Sequence, residues 1–129
     1  GYDMDAVNLF KLASTQAKWL SLRQTTVANN IANANSPDYR AVDVEPFEAA
    51  LSNQAVRLAA TSGSHFGVSG NGDFFQVVEE EPARITTSGK PVSMEDELVK
   101  SSEIRHAFEL NTAIVSAFNQ MLLMTAKGS

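Results

Sequence analysis

Apolar residues recur at steps of three and four along the first quarter of the chain, as on one face of a helix. That face carries Leu9, Ala13, Leu20, Val27 and Ile31. No Pro or Gly occurs between Asp3 and Pro37, so the pattern predicts one helix of about 25–30 residues that ends near Ala34. Further apolar residues form a second face of the same helix: Leu12, Trp19 and Leu22.

The last quarter of the chain shows the same periodicity. Ser93 precedes an acidic first turn, which predicts a capped helix from Met94 to about Ala126, roughly 33 residues. One stripe is interrupted at Asn111 and carries Leu98, Ile104, Phe108, Val115, Phe118 and Leu122. A second stripe carries Leu110, Ile114, Met121 and Met124.

The middle of the chain, residues 37–92, is irregular in pattern. Pro46 is suited to the first position of a short helix that runs toward Ala59 or Ala60. Residues 61–72 are rich in Ser and Gly and predict a linker. The run 74–78 has strand character and is expected to form a β-hairpin with residues 84–87.

These patterns predict a mainly α fold. Its long N- and C-terminal helices, in segments 4–36 and 93–127, are expected to form an antiparallel, coiled-coil-like pair. The two ends then make one discontinuous domain around the middle segment 37–92. Because each helix carries two apolar stripes, we expect part of this surface to be covered by neighbouring molecules.

Composition narrows the classes of function. The chain has 129 residues, the size of one domain, and a net charge of −5. Segment 37–97 carries −7, whereas each flanking end carries +1. With no basic cluster, neither nucleic acid nor direct lipid binding is expected. The absence of cysteine excludes disulfides and thiolate chemistry.

Candidate chemistry is sparse. His65 and His106 lack the spacing of a zinc site, and the Gly-rich run 67–73 lacks the context of a phosphate loop and indicates a turn. The acidic runs 79–81 and 95–97 are interpreted as solvated faces. The sequence therefore predicts no catalytic residue, no metal and no cofactor, and a protein that is not an enzyme.

The N-terminus shows no secretory signal pattern, and no apolar run is long enough to span a membrane. Residues 1–3 are interpreted as additions ahead of a natural start at Met4.

The most specific feature is an Asn-rich helix end that Pro37 terminates. The run 27–40 reads Val-Ala-Asn-Asn-Ile-Ala-Asn-Ala-Asn-Ser-Pro-Asp-Tyr-Arg. It resembles the N-terminal signature of the flagellar rod, hook and basal-body proteins, approximately Ala-x-Asn-Ile/Leu-Ala-Asn-x-x-Thr-Pro-Gly-Tyr. The matching positions are Ala28, Asn30, Ile31, Ala32, Asn33, Pro37 and Tyr39. Ser36 stands where Thr is usual, and Asp38 where Gly is usual.

This resemblance covers roughly residues 4–48 and 92–128, and it implies a structural subunit of the basal-body rod, similar to the proximal-rod proteins. Such a subunit is expected to be exported without signal cleavage, to polymerise in the periplasm around the export channel, and to be needed for flagellum assembly and motility. Its expected partners are copies of itself, other rod subunits and the basal-body junction or export gate. A helical-hairpin adaptor or chaperone that does not polymerise is the alternative.

The predicted subunit contacts follow from the stripes and the signature. They are Leu9, Ala13, Leu20, Val27, Asn30, Ile31, Asn33, Pro37, Tyr39, Leu98, Phe108, Val115, Phe118 and Leu122.

Overall fold

The structure, a computed structural model, describes residues 2–65 and 82–128. In chain order the elements are α1 (Tyr2–Ala32), β1 (Val42–Val44), α2 (Phe47–His65), β2 (Ile85–Thr87) and α3 (Met94–Gly128). The prediction of a mainly α chain with a long helix at each end is confirmed. Helix α1 begins two residues earlier than expected and ends about two residues earlier.

Helices α1 and α3 pack side by side in opposite directions. Phe10 near the start of α1 contacts Phe118 near the end of α3, with ring centroids 6.0 Å apart. Asn30 near the end of α1 bonds Glu97 in the first turn of α3. Because later residues of α1 contact earlier residues of α3, the pair is antiparallel, as predicted. The Asp96 backbone N–H donates to the Ser93 hydroxyl at 3.4 Å, which confirms the predicted cap.

Two short strands lie between the helices in sequence. Strand β1 pairs antiparallel with β2, and Asp43 faces Thr86 in the register. A strand at residues 84–87 was expected, but the described partner is β1, for which the pattern predicted no strand. The expected partner, residues 74–78, lies outside the described residues.

Helix α2 begins where Pro46 predicts it, and the Ala50 N–H donates to the Pro46 carbonyl at 3.0 Å. It continues to His65, five residues into the predicted linker. The remainder of that linker, residues 66–72, lies outside the described residues.

Apolar side chains form two adjoining clusters. The seam cluster, between α1 and α3, is built from Leu20, Val27 and Ile104. The side cluster joins Val44, Ala50 and Ala83. Trp19 packs against both, and Leu22 packs against the side cluster, so part of the second face of α1 is covered within the chain. No helix in the described ranges carries an apolar run sufficient to cross a bilayer.

Candidate functional site

Two features of the described residues stand out: a buried polar centre where α1 meets the start of α3, and an apolar stripe left exposed along α3. The first holds the fold together at the Asn-rich signature. The second is a surface that another molecule could cover.

The polar centre is organised by Asn30, which is fully buried. Its Nδ2 donates to the Val42 carbonyl at 2.8 Å and to Glu97 Oε1 at 2.7 Å. Its Oδ1 accepts from the Val42 N–H at 2.9 Å and from the Tyr39 hydroxyl at 3.1 Å. One amide therefore uses both donors and both acceptor positions, and it binds the free edge of β1 as a neighbouring strand would.

Charged groups extend this centre across the helix pair. Glu97 is only 1% exposed, and its Oε2 accepts from Lys100 Nζ at 3.0 Å. Lys100 also lies 3.7 Å from Asp43 Oδ2, and Asp43 accepts from Arg23 Nε at 3.2 Å. Arg23 reaches Glu103 on α3 at 3.2 Å. The chain of contacts ties α1, β1 and α3 together and compensates the buried carboxylate.

Trp19, also on α1, anchors the other end of β1. Its indole N–H donates to the Glu45 carbonyl at 2.8 Å, and its ring lies 5.7 Å from the Phe47 ring. The Arg23 guanidinium stacks over the indole at 5.8 Å. The signature helix, the strand and the start of α2 are therefore fixed to one another.

The turn after α1 accommodates Asp38 without strain. Within residues 2–65 and 82–128, Gly89 is the residue with a positive φ, at 72°. The Gly that is usual at this position of the signature is thus not needed here for a left-handed backbone. Directly after α1, Asn33 Nδ2 donates back to the Asn29 carbonyl at 2.8 Å.

The predicted contact residues fall into three classes of burial. Buried within the chain are Leu20, Val27 and Asn30. Half-buried are Leu9, Ala13, Asn33, Tyr39, Phe108, Val115, Phe118 and Leu122. Exposed are Ile31, Pro37 and Leu98. Their contacts with other subunits stay predictions.

The helix seam differs from the predicted stripe at its first position. Leu98 is 59% exposed, and Glu97 takes its place against α1. Interpreting residues 95–97 as a solvated face was therefore wrong for Glu97, because Asn30 and Lys100 from other turns satisfy its carboxylate. Asn111, which interrupts the predicted apolar stripe, also lies in the seam. Its Nδ2 donates to the Ala13 carbonyl at 3.0 Å and to Gln16 Oε1 at 2.9 Å.

The predicted apolar stripes gave no indication that four charged residues form one network: Glu97, Lys100, Asp43 and Arg23. A seven-residue spacing from Glu97 through Ile104 to Asn111 was the available signal. That spacing places all three on the face that meets α1.

The exposed stripe of α3 matches the second predicted stripe. Its members are between 46% and 71% exposed: Leu110, Ile114, Met121 and Met124. At the same end of the pair, where Phe10 meets Phe118, α1 exposes Met4, Val7 and Leu12. Apolar surface of this extent is typical of an interaction site, and Met side chains adapt readily to a partner.

The described residues show no cluster of three or more His, Cys, Asp or Glu side chains that could hold a metal ion. His106 is exposed on α3. Every buried side-chain polar atom in the described part of the chain has a hydrogen-bond partner, so the polar centre is satisfied internally.

Comparison with known proteins gives one informative match. The chain is 42% identical over 130 aligned positions to the flagellar basal body rod protein FlgB of Agrobacterium fabrum (strain C58 / ATCC 33970), and the alignment covers 96% of each chain. No family model matches the sequence. No solved structure matches it either.

Proposed function

Since this chain belongs to the FlgB family of flagellar basal body rod proteins, we propose that it is a structural subunit that polymerises through its terminal helices into the proximal rod. Membership of this family supports a role as a component of the basal-body rod. The subunits form the drive shaft around the export channel, and flagellum assembly and motility require them. The role is mechanical rather than catalytic.

The observation that supports polymerisation is the exposed stripe on α3. Full burial of a large apolar side chain contributes about 1.5–3 kcal/mol, so covering four of them supplies several kcal/mol toward assembly. The seam of α3 is occupied by α1, which leaves the stripe free for neighbouring subunits. We assign it to contacts between subunits, together with the predicted contacts that are exposed or half-buried.

The proposal extends to location and partners. The subunit is exported without a cleaved signal and assembles in the periplasm. It contacts copies of itself, other rod subunits and the basal-body junction or export gate. Neither nucleic acid nor lipid takes part.

A charge placed on the stripe tests the proposal. Met121→Asp is expected to abolish rod assembly and swimming, because an aspartate buried between subunits would lie unpaired. Gln120→Asp is the matched control, since Gln120 is the adjacent exposed residue and lies off the stripe. Both purified variants should retain the helical circular dichroism of the unmodified chain. Normal swimming by the Met121→Asp strain would contradict the assignment of this surface.

Val115→Asp and Phe118→Asp are also expected to block assembly. Phe118 packs on Phe10 within the chain, so its substitution disturbs the subunit itself. The test on Met121 is therefore the cleaner one. Deletion of the gene should leave no rod, and normal rods in the deletion strain would refute the whole proposal.

An adaptor or chaperone with the same helix pair is the alternative. Mixing the purified chain with neighbouring rod subunits separates the two, because an adaptor saturates at a fixed stoichiometry whereas a rod subunit gives linear assemblies. Sedimentation and electron microscopy of the mixture provide the measurement.

A further inference from the structure

Besides the exposed ion pair of Arg23 with Glu103, two contacts between polar side chains join α1 to α3 within the seam. One joins Asn30 to Glu97 at 2.7 Å, and the other joins Gln16 to Asn111 at 2.9 Å. The two α1 residues are fourteen positions apart, as are the two α3 residues. Fourteen residues are four turns, roughly 21 Å, so both contacts form together in a single register of the pair.

Displacement of the helices by one heptad breaks both contacts. In one direction Asn30 comes opposite Ile104 and Gln16 opposite Phe118. In the other direction Gln16 comes opposite Ile104, and Asn30 lies beyond the start of α3. Either displacement leaves buried polar groups against apolar side chains, which is unfavourable.

Apolar burial alone does not explain which face of α3 meets α1. Polar and apolar residues alternate at seven-residue steps along the seam: Glu97, Ile104, Asn111 and Phe118. The apolar residues Phe108, Val115 and Leu122 lie between them on the same face. The exposed stripe from Leu110 to Met124 is apolar at each of its four positions. Either face could therefore bury apolar side chains against α1, but the amides of Asn30 and Gln16 would have no partner on the stripe.

We infer that these two polar contacts select the register and the face of the α1–α3 pair, and that they do so at little gain in stability. They direct α1 to the seam and thereby keep the apolar stripe of α3 outside the pair. A single buried polar residue selects register and partner in helical coiled coils in the same way. Selection of the register is a property of the folded chain and does not depend on rod assembly.

The absence of cysteine makes the register directly measurable. Lys18→Cys and Glu109→Cys, both at exposed positions on opposite helices, carry nitroxide labels for pulsed electron paramagnetic resonance. Dilution with unlabelled protein suppresses distances between chains. The labelled chain with an intact seam is expected to give one narrow distance.

The test variant is Gln16→Leu/Asn111→Leu, which replaces both partners of one contact and leaves neither group unpaired. We expect a melting temperature no lower than that of the labelled parent, together with a second distance, because a displacement by one heptad moves one label past the other by roughly 10 Å along the helix axis. Asn8→Leu/Asn119→Leu makes the same kind of change at exposed positions on the same helices, and it should keep the single distance.

Two results would overturn the inference. A single, unshifted distance in Gln16→Leu/Asn111→Leu would show that the Gln16–Asn111 contact has no part in selecting the register, since the contact of Asn30 with Glu97 is intact in this variant. Loss of the helical circular dichroism in that variant would show that the contact is needed for stability rather than for selection.

Discussion

Replacement of Asn30 by alanine removes the centre of the polar network without altering the apolar seam. The substitution leaves four hydrogen-bonding groups without their partner: the N–H and carbonyl of Val42, the Tyr39 hydroxyl and Glu97 Oε1. Val42 and Tyr39 are half-buried, so water can replace part of what they lose. Glu97 is 1% exposed and cannot be rehydrated without opening the helix pair.

The size of the effect follows from these burials. An unsatisfied buried polar group costs about 1–3 kcal/mol, and a buried charge that loses one partner costs up to about 3–5 kcal/mol. Because Lys100 still pairs with the Glu97 carboxylate, the cost of the buried charge lies at the lower end of this range. We expect Asn30→Ala to lower the free energy of unfolding by about 3–5 kcal/mol. The total free energy of unfolding of a domain of this size is about 5–15 kcal/mol.

Urea unfolding measures this loss, with far-ultraviolet circular dichroism and Trp19 fluorescence as two probes. With a urea dependence of about 2 kcal/mol per molar, the midpoint should fall by about 2 M. Asn29→Ala is the matched control, because Asn29 is the exposed neighbour on the same turn, and it should change stability by less than about 0.5 kcal/mol. A loss below about 1 kcal/mol for Asn30→Ala, or equal losses in the two variants, would refute the argued role of the amide.

Three further substitutions test local features of the fold. Ser93→Ala removes the cap of α3 and should lower stability by about 1 kcal/mol in urea unfolding, whereas Ser93→Asp should retain most of it. Gly89→Ala should lower the melting temperature through a cost of about 1 kcal/mol, because φ at Gly89 is positive although no neighbouring atom would meet the added Cβ. Trp19→Phe leaves the Glu45 carbonyl without its indole donor and should lower the free energy of unfolding by about 1 kcal/mol, measured by urea unfolding followed by circular dichroism. An unchanged urea midpoint would show that water replaces the donor.

The secondary structure of the two ends could be predicted from the sequence because the information there is local. A run without Pro or Gly, apolar residues at three- and four-residue steps and a Ser cap suffice to predict a long helix. The signature around Asn30 likewise identified the family, since its residues are adjacent in sequence. The antiparallel pairing followed because two amphipathic helices in one chain bury their apolar faces against each other.

The candidate site was only partly predictable. The stripe from Leu110 to Met124 was identified, but periodicity cannot decide which of two stripes on a helix meets the partner. The buried position of Glu97 depends on Asn30, which lies 67 residues away in sequence. A carboxylate in an acidic run is solvated unless the fold brings hydrogen-bond partners to it, and the local sequence does not indicate whether that happens.

The sequence by itself therefore determined two long amphipathic helices, their Asn-rich junction and the absence of a basic or cysteine-based site. Tertiary structure alone decided that β1 forms and that the seam runs through Glu97 and Asn111. Strand β1 has three residues, too few for a pattern, and it exists because β2 bonds one edge and the Asn30 amide bonds the other. The physical reason is common to both: hydrogen bonds between segments distant in sequence fix which surfaces are buried, whereas local periodicity fixes only which surfaces are apolar.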